Sequence, residues 1–127
     1  ELAKELGRDM GFARIVELTP EKHDEVIAFV SQLAHCIAIT LMTCNGLERL
    51  EDFTGNSFRD LTRIAHINEN MWSELFLLNK KALLNEMELF ERQFEKLKRS
   101  IADGDLDTMK DIMRRSTERR DAFDADK

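Results

Sequence analysis

The stretch TPEKHDEVIAFVSQLAHCIAITLMTCNG, residues 19–46, decides the architecture. Thr19 is suited to cap a helix, Pro20 to occupy its first position and Glu21 to face the positive end of its dipole. Asn45-Gly46 supplies the stop, so a single helix is expected from Pro20 to about Asn45. Val26, Ile27, Phe29, Val30, Leu33, Ile37, Ile39, Leu41 and Met42 cover nearly every face of it, the pattern of a helix at the centre of a domain. At membrane length it still carries Ser31, Gln32 and His35, so the pattern is read as a buried core helix and not a bilayer span.

Outward from this helix, Gly55 marks a loop, Phe58 to His66 a shorter helix, and Asn68 the cap of a long one. Along the long helix Leu83, Met87, Phe90, Phe94, Leu97 and Ile101 recur at alternating steps of four and three, a coiled-coil-like seam. About 30 helical residues extend about 45 Å, longer than a compact globule of this size, which favours a second copy of the chain as partner. Gly104 ends it, and Asp105 caps a last helix with Leu106, Met109, Ile112 and Met113 on one face. Upstream, residues 1–10 are helix-prone, and Ile15-Val16 reads as a brief strand with no partner in sight.

Composition supports this outline. The chain has 127 residues, 43% hydrophobic and 35% charged, with one proline and five glycines, too few turn residues for an all-β fold. Net charge is −6 with acids and bases interspersed, which argues against nucleic-acid or anionic-membrane binding. Even the basic stretch Lys110 to Arg120 contains Asp111 and Glu118 and reads as a solvated helix face. Cys36 and Cys44, eight residues apart on one helix, would stand about 12 Å apart, beyond disulfide reach, which fits a reducing, cytoplasmic setting. The chain opens at Glu1 with no initiator Met, basic n-region or small-residue cleavage site, as a piece of a longer protein without a signal peptide would.

Few residues carry chemistry on their own. Ser31 and His35 share a helix face with Gln32 beside them; they line a polar pocket, or each is satisfied by a neighbouring carbonyl. Arg59 and Arg63 also lie four apart, and the apolar flank of Arg63 predicts partial burial. Its partner is then either Asp60 or Glu74 in a structural ion pair, or a ligand carboxylate held in the guanidinium fork. His23, His35, His66 and the cysteines lack the spacing of a metal site. There is no Gly-x-Ser-x-Gly elbow and no Gly-x-Gly-x-x-Gly cofactor fingerprint. Trp72, the only tryptophan, reads as core.

The runs Thr19-Pro20-Glu21-Lys22-His23-Asp24, Val30-Ser31-Gln32-Leu33-Ala34-His35, Ser57-Phe58-Arg59-Asp60-Leu61-Thr62-Arg63-Ile64-Ala65 and Asn70-Met71-Trp72, followed by Asn79, change that picture. Together they resemble the C-terminal helical domain of the prephenate and arogenate dehydrogenase family of tyrosine biosynthesis. The resemblance implies an all-α substrate-binding and homodimerisation domain over residues 19–127, with residues 1–18 the helix-strand remnant of a preceding Rossmann domain. That other domain would hold NAD or NADP and the catalytic histidine, so no catalytic or cofactor-binding residue is expected in this fragment, which alone should be inactive. The reaction implied is oxidative decarboxylation of prephenate to 4-hydroxyphenylpyruvate, or the arogenate equivalent.

By motif position Arg63 resembles the substrate-carboxylate anchor, Ser31, Gln32 and His35 the hydrogen-bonding pocket, and Trp72 a residue reaching the site from the partner subunit. Three positions depart from the family pattern. Gln32 stands where His is common and cannot titrate, Ser57 replaces a common Gly, and Ala34 replaces a common Pro, removing the usual cause of a helix irregularity there. A helical oligomerisation or regulatory module of the same fold, without enzymatic activity, is the alternative reading.

Overall fold

A computed structural model describes residues 1–123 and is all-helical, with no strand among the described residues. Helix α1 spans Leu2–Asp9. The next 24 helical residues, Pro20–Thr43, run as one helix with a defect inside it: α2 (Pro20–Ile27), a six-residue π segment (Ala28–Leu33) and α3 (Ala34–Thr43). A 3-10 turn (Leu50–Asp52), α4 (Asn56–Thr62) and a second 3-10 turn (Arg63–Ala65) come after it. The chain continues through α5 (Glu69–Leu78), α6 (Lys80–Ala102) and α7 (Leu106–Asp121).

Capping chemistry accounts for the main starts. The Thr19 side chain accepts from the Lys22 amide, Asn68 from Met71 and Asp105 from Thr108. Gly104, at φ +67°, takes the left-handed conformation that turns the chain from α6 into α7.

Three features differ from expectation. Ile15-Val16 forms no strand: no strand edge lies beside it among the described residues, and Ile15 instead rests against α1 at Gly7, where an added Cβ would come within 2.8 Å of it. Lys4 and Glu17 pair across the same junction. The long helix expected after Asn68 is two helices, broken at Asn79 without any glycine or proline. There the backbone leaves helical geometry (φ −108°, ψ 27°) and the side chain bonds back to the Pro20–Thr43 helix. Finally, the helix irregularity persists beside Ala34, so it does not depend on proline.

The chain forms two compact units, Glu1–Leu83 and the part from Leu84 onward. In the first, α3 packs on α4 and on the Arg63–Ala65 turn. Ala28, Leu33, Ala38 and Leu83 are its buried apolar residues, with Gln32 buried among the polar ones. The Pro20–Thr43 helix is long and apolar enough to cross a membrane by length and composition. Its polar face, however, is engaged by α5 within the same unit. In the second unit Leu97, Met109 and Ile112 are half-buried, and Ser100 is buried with its hydroxyl donating to the Leu97 carbonyl at 2.7 Å.

Candidate functional site

The π segment determines where the polar side chains of the central helix point. A π turn adds a residue to the ordinary helical repeat and rotates the downstream residues relative to a regular helix. Here it ends at Leu33, between Ser31-Gln32 and His35. Gln32 is turned inward and is 4% exposed, while Ser31 and His35 are half-buried on the rim.

His35 Nδ1 lies 2.8 Å from the Ser31 carbonyl oxygen. A carbonyl only accepts, so Nδ1 carries the proton, and neutral His35 keeps Nε2 as an acceptor. The imidazole is stacked on Trp72, with ring centroids 3.7 Å apart and planes 27° from parallel. Phe76, one turn along α5, stands behind the indole at 5.7 Å. Within the single chain Trp72 meets its own His35, because α5 returns across the central helix.

Arg59 and Arg63 have different surroundings. The Arg59 guanidinium donates to the Glu51 carbonyl at 3.1 Å and the Thr54 carbonyl at 3.4 Å, tying down the loop before α4. Arg63 is exposed and its side chain has no hydrogen bond or ion pair among the described residues, so the expected partial burial and an Asp60 or Glu74 partner are not found. Its 3-10 turn packs against α3, the helix that carries His35. His35, held in one tautomer, and Trp72 thus form a stacked rim, and the Arg63 side chain, on a turn packed against the same α3, has no anion among the described residues.

Gln32 is engaged within the chain. Its Nε2 donates to the Leu75 carbonyl at 3.1 Å and its Oε1 accepts from Asn79 Nδ2 at 2.9 Å. Asn79 also donates to the Asp24 carbonyl at 2.9 Å. Asn79 has no role in the sequence reading; the signal there was an amide shortly after an aromatic motif, and its partners lie 47 and 55 residues away.

Residues 19–115 match the family model described as prephenate dehydrogenase, dimerization domain. The chain belongs to this family. It is 28% identical over 116 residues to the prephenate dehydrogenase of Bacillus subtilis, covering 87% of this chain and 31% of that protein. It is 33% identical over 119 residues to the cyclohexadienyl dehydrogenase of Zymomonas mobilis, covering 89% and 41%. Its fold superimposes, at a TM-score of 0.83 and 30% identity, on a prephenate dehydrogenase from A. aeolicus solved in complex with hydroxyphenyl propionate and NAD+, covering 96% of this chain and 44% of that one. The chain thus spans less than half the length of these dehydrogenases. Within this family member the amide at position 32 is buried and paired at both ends.

Proposed function

We propose that this chain is the substrate-binding and dimerisation domain of a prephenate dehydrogenase, with arogenate the alternative substrate. The observation that carries the reading is the match of residues 19–115 to the prephenate dehydrogenase dimerization domain, within which His35 stacks on Trp72 and the exposed Arg63 side chain has no anion among the described residues. An exposed guanidinium presents a fork of donors to a carboxylate. The stacked indole and imidazole acceptor suit a ring bearing a hydroxyl. In the reaction, C4 of prephenate gives up a hydride while the C1–carboxylate bond breaks, its electron pair enters the ring, and carbon dioxide and 4-hydroxyphenylpyruvate result.

NAD, by likeness to the A. aeolicus complex, or NADP would accept that hydride. None of the five glycines of this chain forms a dinucleotide fingerprint, so the cofactor is assigned to residues outside it. What this chain contributes is orientation: Arg63 anchors a carboxylate, Ser31 and His35 bond polar groups, and Trp72 covers the ring. Gln32 contributes through the protein, since its amide is already engaged. Two copies joined through the helical domain form the working unit, in the cytoplasm.

The test is turnover by the intact gene product with prephenate or arogenate against NAD or NADP, compared with Arg63→Ala. The variant is expected to raise KM by about 100-fold, the loss of a charge-assisted pair. Its melting temperature should be unchanged, because an exposed residue without partners contributes within about 0.5 kcal/mol to stability. Equal losses of stability and activity, or no turnover by a folded dimer with any pair, would favour the non-enzymatic module.

A further inference from the structure

Two interruptions of helical geometry, the π segment at Ala28–Leu33 and the break at Asn79, are bonded to each other. Asn79 Nδ2 has two protons, and both are used, one on Asp24 of α2 and one on Gln32 of the π segment. The other end of the Gln32 amide donates to Leu75, whose carbonyl already accepts from the Asn79 amide in the last turn of α5. The Gln32 end of the pair is shielded from solvent, at 4% exposed, while Asn79 is half-buried.

This cross-link fixes α5 to the central helix at one end of α5, while the His35–Trp72 stack lies at the other. Gln32 is three residues from His35, and Asn79 is seven residues, about two turns, from Trp72. Rotating or sliding α5 by a small amount would separate the rings, because the two share only the stacking contact and Nδ1 of His35 bonds its own helix. A buried amide pair has directional preferences that apolar packing lacks, and separating it would strand polar groups away from water.

We infer that Gln32 and Asn79 are positioning residues that set the His35–Trp72 ring stack by clamping α5 to the π segment. The inference deepens the proposed substrate-binding role of the rim and rests on it only for its consequence in catalysis. Gln32 then acts through Asn79 and not by touching substrate. In the full-length enzyme, a loosened clamp should raise KM more than it lowers kcat, since the rim orients substrate and supplies no proton to the reacting carbon.

Trp72 is the sole tryptophan of the chain, so its emission reports the stack directly, without substrate. A stacked imidazole quenches an indole, and His35→Leu gives the emission of the unstacked ring. In the 127-residue chain, Asn79→Ala is expected to keep its helical circular dichroism and raise Trp72 emission to the His35→Leu level. Gln32→Met, which keeps the side-chain length and removes both bonds, should do the same and serves where Asn79→Ala loses helicity. A helical variant with unchanged emission overturns the inference, and so does loss of helicity in both, which would make the pair a support of the fold and not of the stack. Since no turnover is measured here, failure of the dehydrogenase reading would show only in the activity assay.

Discussion

At His35 the important partner is a main-chain atom. Its Nδ1 proton goes to the Ser31 carbonyl, not to the Ser31 hydroxyl, so Ser31→Ala should leave the imidazole oriented and the Trp72 emission unchanged. A rise in KM in that variant would then report a lost hydroxyl contact with substrate, whereas an emission change would show that the side chain supports the ring. The two cysteines allow a second separation at this scale. Burial pushes the Cys36 thiol up, and the helix amide contact that lowers it is the lesser cause, while Cys44 is exposed at the end of α3. A raised thiol pKa means less thiolate at any neutral pH, and thiolate is the reacting species. Alkylation followed by peptide mass analysis should therefore label Cys44 well before Cys36; faster labelling of Cys36 would contradict its half-buried placement.

Among the helices, legibility in sequence depends on how local the cause is. Caps are local, and Thr19, Asn68 and Asp105 each bond an amide three residues on, as their positions predict. The π segment and the Asn79 break are not local: the bonds that join them span 43 to 55 residues, with no glycine or proline to mark them. The same difference separates the site residues, since Ser31 and His35 share a face by spacing, whereas the Trp72 contact and the engagement of Gln32 require the return of α5. The apolar flank of Arg63 misleads because flanking residues describe their own burial and not that of the guanidinium between them. The Asp105 cap gives a pH prediction. Bonds from Thr108 hold its carboxyl below the usual carboxylate range, so its contribution is fully present above the unfolded value of about 3.9 and is lost as pH falls through the lower folded value. Acidification should speed hydrogen exchange at the first amides of α7 in the wild type, and much less in Asp105→Asn, which caps without titrating. Identical acid responses in the two proteins would remove the cap as the cause.

Large apolar side chains are left exposed in both units among the described residues. Phe29, Val30, Leu77 and Leu78 are 52%, 60%, 70% and 84% exposed in the first unit, and Phe94 and Ile101 are 60% and 61% exposed in the second. Where such side chains form one contiguous face, that face marks a surface that another protein covers. The family match to a dimerization domain identifies the occupant we propose as a second copy, and the coiled-coil-like spacing of Phe90, Phe94, Leu97 and Ile101 offers a face for it. Phe94 stacks only on Phe90, at 6.0 Å, among the described rings, so a charge placed there should disturb the chain itself little. Placed at a self-associating face it would be desolvated without a partner, which association tolerates poorly. Phe94→Glu is therefore expected to sediment as a monomer at micromolar concentration with its helical signal kept, where the unaltered chain sediments as a dimer. Because a dimer's stability includes the association term, the melting temperature of the unaltered chain should rise with protein concentration and that of the variant should not. A dimeric Phe94→Glu would move the interface off this face, and concentration-independent melting of a monomeric unaltered chain would leave the exposed apolar faces for a different partner.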